Sequence, residues 1–108
     1  MFNYKMEREP IHPGEILKTE FLDEMNISQV QLSKDLGVTF PAVNEIVHGK
    51  RGISIEMAFK LAKYFNMSPD FWLNMQLQYE MHKFWHDKKK TAKLDRVKQL
   101  EVKEEELV

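Results

Sequence analysis

Four times between residues 27 and 72 the chain repeats one short arrangement. An apolar residue precedes a serine or threonine, and a second apolar residue follows four positions after the hydroxyl. The sets are Ile27-Ser28 with Leu32, Val38-Thr39 with Val43, Ile53-Ser54 with Ala58, and Met67-Ser68 with Trp72. A hydroxyl in this position accepts a hydrogen bond from a backbone N–H of the first helical turn, and the flanking apolar pair staples that turn. Gln31 stands where it completes a capping box with Ser28. Pro69 occupies a first helical position, where its missing N–H costs nothing. No stretch in 12–86 alternates with period two, so the chain is expected to be all-α. Helices are predicted over about 13–25, 28–36, 40–48, 54–65 and 68–86, forming a five-helix domain.

The apolar spacing says which faces turn inward. The first helix is expected to bury Leu17, Phe21 and Met25. The fourth is expected to bury Ala58, Leu61, Ala62 and Phe65, with Glu56, Lys60 and Lys63 outside. Residues 1–11 read as an irregular N-terminal arm, 12–86 as the domain, and 87–108 as a charged tail. That tail holds seven basic and six acidic residues, the basic ones first. Leu94, Val97 and Leu100 hint at a short helix, but so charge-rich a segment is expected to be mobile. The 108 residues suit one domain, and the absence of cysteine excludes disulfides and thiolate metal sites. No run is apolar enough to span a membrane and the first ten residues lack the apolar core of a signal peptide, so a cytoplasmic protein with no membrane partner is expected. The formal charge of −1 excludes a globally basic nucleic-acid binder and leaves only a local positive patch.

Residues 28–48 comprise two short helices joined by "LGVT". Leu32, Leu36, Val38, Val43 and Ile46 are apolar where the pair must face a core, and Ser33 is small where the helices cross. Gly37 suits the left-handed turn that ends the first helix. Together these describe a helix-turn-helix, whose second helix enters the major groove of double-stranded DNA while the first crosses the backbone. Gln29, at the start of the first helix, and Lys50 and Arg51, just past the second, are the candidate phosphate contacts.

The pattern resembles the phage repressor/Cro (XRE-like) helix-turn-helix family. Beyond it, "HPGEIL..EFL" at 12–22, "NEIVHGKRGIS.EMAFKLAKYF" at 44–65 and "SPDFWLNMQ" at 68–76 resemble HigA-type (VapI-like) antitoxins. The resemblance implies a bacterial antitoxin that represses its own operon as a homodimer on operator DNA and binds a RelE-like, HigB-type ribonuclease toxin. It also implies base contacts at Thr39, Phe40, Pro41, Asn44 and Glu45. Asn44 suits adenine and Glu45 suits the amino group of cytosine, while Phe40 can only meet a thymine methyl. Pro41 biases Phe40 away from helical angles, so this helix is expected to begin late.

From Phe71 to Trp85 the last predicted helix is apolar on most sides, more than a small domain can enclose. Phe71 and Met75 are assigned to the core, and Trp72, Tyr79, Met81, Phe84 and Trp85 to a dimer or toxin surface. His82 and His86 share a helix face but lack a third ligand, so no metal is expected, and no cofactor. No nucleophile, base and acid form a set, so no enzyme is read. The alternatives are a stand-alone transcriptional regulator without a toxin, and a protein-interaction module whose helix-turn-helix no longer binds DNA.

Overall fold

Each hydroxyl of the repeated arrangement is bonded as a cap. In a computed structural model of the chain, which describes residues 9–101, Ser28 Oγ accepts from Gln31 N at 3.0 Å, and Ser54 Oγ from Met57 N at 3.1 Å. Thr39 Oγ1 accepts from Ala42 N at 3.3 Å, and Ser68 Oγ from Asp70 N at 3.2 Å. The helices they start are α2 (Gln29–Leu36), α3 (Phe40–Val47), α4 (Ile55–Phe65) and α5 (Pro69–Trp85). Substituting such a cap by alanine typically costs about 1 kcal/mol. The reciprocal half of the capping box is absent. Gln31 donates instead to Asp35 Oδ1 at 2.8 Å, one turn ahead, and Asp35 also accepts from Tyr64 Oη of α4 at 2.6 Å. That second bond raises the Tyr64 hydroxyl above its ordinary pKa.

The helix exits share a design of their own. Asn26, Gly37, Gly49 and Asn66 take left-handed angles, with φ between 54° and 72°. The residue after each donates its N–H to the carbonyl five back: Ile27 to Leu22, Val38 to Ser33, Lys50 to Glu45 and Met67 to Ala62, at 2.8–3.0 Å. Three of those residues, Ile27, Val38 and Met67, pack on the core and staple the following helix. Lys50 is the exception and stays exposed.

The first helix departs from expectation. It begins as α1 (Pro13–Ile16) and continues into a wider π-helical stretch, Leu17–Asp23. In π winding residues five apart come close. Accordingly Leu17 and Leu22 are both buried, and Lys18 Nζ lies 3.0 Å from Asp23 Oδ2. The same winding rotates Met25, expected in the core, out to 52% exposure. Phe21 is half-buried against the rings of Phe65 and Trp72.

One core joins all these helices: Leu17, Leu32, Val43, Ile46, Leu61 and Trp72 are its fully buried large side chains. Trp72, expected at a partner surface, is 0% exposed and therefore a core residue. Its Nε1 is buried with no acceptor among the described residues. Phe71, expected in the core, is 40% exposed, while Met75 is half-buried. Phe65 of α4 is half-buried rather than enclosed.

A sixth helix replaces the start of the expected mobile tail. Asp87 Oδ1 caps α6 (Lys88–Ala92), accepting from Lys89 N at 3.0 Å and Lys90 N at 3.2 Å, and a 3-10 turn follows over Lys93–Arg96. The helix hinted at by Leu94, Val97 and Leu100 thus lies earlier, and Val97 and Leu100 are exposed beyond it. Most of the predicted N-terminal arm and the acidic end of the tail lie outside the described residues. No strand occurs among the described residues, and no described helix is long and apolar enough to cross a membrane.

Candidate nucleic-acid interface

The pairing of α2 with α3 rests on complementary small and apolar residues. Ser33, buried where they cross, turns its hydroxyl onto Val30 O at 2.8 Å and so leaves no unpaired donor. Leu32, Leu36, Val43 and Ile46 face inward. Gly14 holds the outer end of this unit. A Cβ there would stand 1.7 Å from Ile46 O, so only glycine lets the first helix pass the carbonyls of α3 so closely.

What α2 and α3 leave outside is the candidate interface. Thr39, Phe40 and Pro41 form an exposed edge at the start of α3. Phe40 is helical despite preceding a proline, so α3 begins on time rather than late; the Thr39 cap and the packing of Ala42 and Val43 outweigh the proline's bias. The Thr39 hydroxyl accepts as a cap and keeps its hydrogen to donate. Phe40 is 43% exposed with no polar group to offer.

Asn44 and Gln29, assigned separately to base and phosphate, are joined. Asn44 Nδ2 donates to Gln29 Oε1 at 2.9 Å across fifteen residues of sequence. The bond leaves the Gln29 amide free to donate and the Asn44 oxygen free to accept. Glu45 and Arg51 are joined too. Arg51 Nη2 reaches Glu45 Oε1 at 3.1 Å and Oε2 at 3.2 Å, so the one carboxylate among the base-contact candidates is already neutralised by a candidate phosphate donor. Both side chains are partly exposed, and such a pair contributes at most about 1 kcal/mol. Exchange of the carboxylate for a phosphate is correspondingly inexpensive. Lys50 has no ion-pair partner among the described residues.

The loop after α3 is braced from α5. Gln76 Oε1 accepts from Ile53 N at 2.8 Å, and a Cβ at Gly52 would meet the Gln76 amide at 2.6 Å. From the other side His12 caps α1 with Nδ1, accepting from Gly14 N at 2.9 Å, and sets its ring edge-on to Tyr79 with centroids 4.7 Å apart. Burial, opposed by Glu15 and assisted by Lys83, holds the His12 pKa below its ordinary value. Sequence reading assigned no role to His12, Gly14 or Gln76. Their signal lay in "HPGE" and "NMQ", segments noted for resemblance alone.

The expected partner surface on α5 divides. Trp72 leaves it for the core, Tyr79 is occupied by His12, Phe84 is 41% exposed, and Met81 and Trp85 are half-buried. His82 and His86 stack with centroids 4.0 Å apart and planes 24° apart. Stacked faces do not aim two nitrogens at one ion, and no group of three or more metal-ligating residues occurs among the described ones.

Two helices of eight residues packed over a buried serine, the second leaving Phe40, Pro41, Asn44 and Glu45 wholly or partly exposed, make a helix-turn-helix. The helix-turn-helix family pattern matches residues 19–72. Virulence-associated protein I of Dichelobacter nodosus is 43% identical over 84 residues, 78% of either chain. The solved structure of Pseudomonas aeruginosa antitoxin HigA with the higBA promoter is 42% identical, with a TM-score of 0.77 over 85% of this chain and 99% of that one. Antitoxin GraA in complex with its operator is 35% identical, with a TM-score of 0.81 over 93% of this chain and all of that one. The chain belongs to the repressor-type helix-turn-helix family, among the HigA-type, VapI-like antitoxins. Relatives of this chain are named as an HTH-type transcriptional regulator of Haemophilus influenzae and antitoxin HigA-1 of Vibrio cholerae, neither of them an enzyme by name.

Proposed function

We propose that this protein is the antitoxin of a bacterial toxin–antitoxin pair, a homodimer that represses its own operon and neutralises a RelE-like, HigB-type ribonuclease. The observation that carries the DNA reading is the 2.9 Å bond between Gln29 and Asn44. It couples the side chain assigned to a phosphate to the one assigned to a base, so both are ordered before DNA arrives and less entropy is lost on binding. Thr39, Phe40 and Pro41 lie at the same edge, and Lys50 and Arg51 follow α3 closely. The antitoxin reading is supported by likeness over nearly the whole length of antitoxin HigA. A two-fold dimer presents two recognition helices to a palindromic operator. With Trp72 in the core and Tyr79 against His12, Met81, Phe84 and Trp85 are what remains of the surface assigned to a partner.

Fluorescence anisotropy on DNA from upstream of the gene tests the first half. Phe40→Ala should weaken binding by about 1 kcal/mol, near fivefold, and replacing the contacted thymine by uracil should do the same to the wild type. Asn44→Ala should respond to an adenine and ignore the methyl. A wild type that binds no upstream DNA overturns the repressor reading and favours the interaction module, to which the exposed Phe40 ring also points. Co-purification with the product of the adjacent reading frame tests the second half. If that product is no small basic protein, or does not co-purify, a regulator without a toxin remains.

A further inference from the structure

A cleft of about 380 Å³ opens beside the loop that follows α3. Three lysines from three separate elements line it: Lys50 from the loop, Lys83 from α5 and Lys90 from α6. All three are exposed, and none has an ion-pair partner among the described residues. Arg51 also borders the cleft, but its guanidinium is engaged by Glu45. Glu80 is the one carboxylate among the lining residues. Like charges gathered around one concavity, with a single counter-charge, raise the local potential and draw in an anion.

The rest of the lining suits a phosphate ester. Gly49 carries no side chain and has room beside it, the nearest atom to a Cβ built there being His12 Cγ at 3.8 Å, whereas Gly52 is backed by the Gln76 amide. The bond from Ile53 N to Gln76 holds that loop in place. The rings of His12, Tyr79 and Phe84 wall the cleft. Its volume exceeds that of a single phosphate and admits the attached sugar or base. Lysine ammonium groups, each with three donors on a flexible stem, serve phosphate oxygens without demanding a fixed geometry.

We propose that this cleft is a phosphate-binding site formed by Lys50, Lys83 and Lys90, occupied by a backbone phosphate of bound DNA or by a free phosphate or nucleotide. The site lies partly outside the helix-turn-helix, since Lys83 and Lys90 come from the last long helix and the segment expected to be a mobile tail. Its DNA form rests on the repressor reading above, and its free-phosphate form does not.

The test compares the wild type with Lys83→Gln/Lys90→Gln, two exposed substitutions that keep good helix formers, with thermal melting as the folding check. If the double variant melts low, each single variant is read in its place. In one arm, sodium pyrophosphate is titrated into full-length, DNA-free protein at constant ionic strength, and the NMR signals of Gly49, Gly52 and Tyr79 are followed. Saturable shifts in the wild type, weakened at least tenfold in the variant, show a free-phosphate site. In the other arm, operator affinity is measured across salt concentrations. Each lost phosphate contact flattens the slope by ~0.9, so the variant should lose about 1.8, and Lys83→Arg/Lys90→Arg should restore it. A changed slope without saturable pyrophosphate shifts assigns the cleft to the DNA backbone. Saturable shifts with an unchanged slope assign it to a free phosphate. The absence of both responses overturns the proposal. If wild-type protein binds no operator at all, the repressor reading fails, and the pyrophosphate arm alone decides the cleft.

Discussion

The exits of α2 and α3 have the same backbone and opposite uses. Gly37 and Gly49 take φ values of 70° and 72°. Val38 N bonds Ser33 O at 3.0 Å, and Lys50 N bonds Glu45 O at 2.8 Å. At the first exit a valine follows the glycine, turns into the core and staples the next helix. At the second a lysine follows and faces the cleft beside the recognition helix. A left-handed turn therefore carries no role of its own. The side chain after it decides whether the turn closes a core or presents a charge. That the α3 exit can forgo its apolar residue follows from its other supports, Gly14 against Ile46 on one side and Gln76 on Ile53 on the other.

Removing one of those supports should have the largest effect. Gly14→Ala forces a methyl against the Ile46 carbonyl, which cannot retreat without unwinding α3. Overpacking of this kind costs about 3 kcal/mol, a fall of more than ~10 °C in the melting midpoint. A midpoint within a few degrees of wild type would show that the two helices can part without loss.

Exchanging the two residues tests the comparison directly. Val38→Lys should destabilise by about 2 kcal/mol, since it removes packed apolar area and places an ammonium where the core begins. Lys50→Val should leave stability within ~0.5 kcal/mol, yet flatten the salt dependence of operator binding by ~0.9. Equal melting shifts for the two would mean that the residue after the turn does not decide its use.

The glycines themselves should behave alike. Nothing lies within 4 Å of a Cβ built at Gly37, and at Gly49 the nearest atom is His12 Cγ at an ordinary 3.8 Å. Each Gly→Ala change should thus cost only the left-handed penalty, about 1 kcal/mol by denaturant unfolding. A markedly larger cost at Gly49 would mean that the His12 ring cannot yield.

The smallest effect expected is the pH dependence contributed by His12. Burial first, with Lys83 assisting and Glu15 opposing, depresses its folded pKa below the unfolded value near 6.5. The folded state therefore favours the neutral ring, whose Nδ1 is the acceptor that caps α1. Its contribution is fully present above pH ~6.5 and is lost as pH falls through the lowered folded value. His12→Asn, which caps without titrating, should melt with a shallower pH dependence as the pH falls below ~6.5. Parallel profiles would remove His12 as the cause.

Much of this fold is legible in the chain because its signals are local. Ser28, Thr39, Ser54 and Ser68 act within one turn of the helices they start, and all four do what their spacing implies. Gly37 could be recognised as a helix exit. Asn26 and Asn66, which serve equally, could not be, because asparagine takes left-handed angles only where the surrounding structure requires it. Met25 is placed inside and Leu22 is missed because α-helical spacing presumes a winding that Leu17–Asp23 does not keep. Asp87 was available as a cap, but the charge run behind it resembled a mobile segment.

By itself, then, the sequence determined where the five helices of the domain start, that two of them form a repressor-type helix-turn-helix, and which family the chain joins. Only the tertiary structure decided which polar groups meet one another. Gln29 with Asn44, Gln76 with Ile53, and Tyr64 with Asp35 span 15, 23 and 29 residues. The cleft gathers Lys50, Lys83 and Lys90 from three elements. The reason is range. A cap or staple reports on its own turn, whereas a side chain's distant partner depends on how the buried core sets one helix against another.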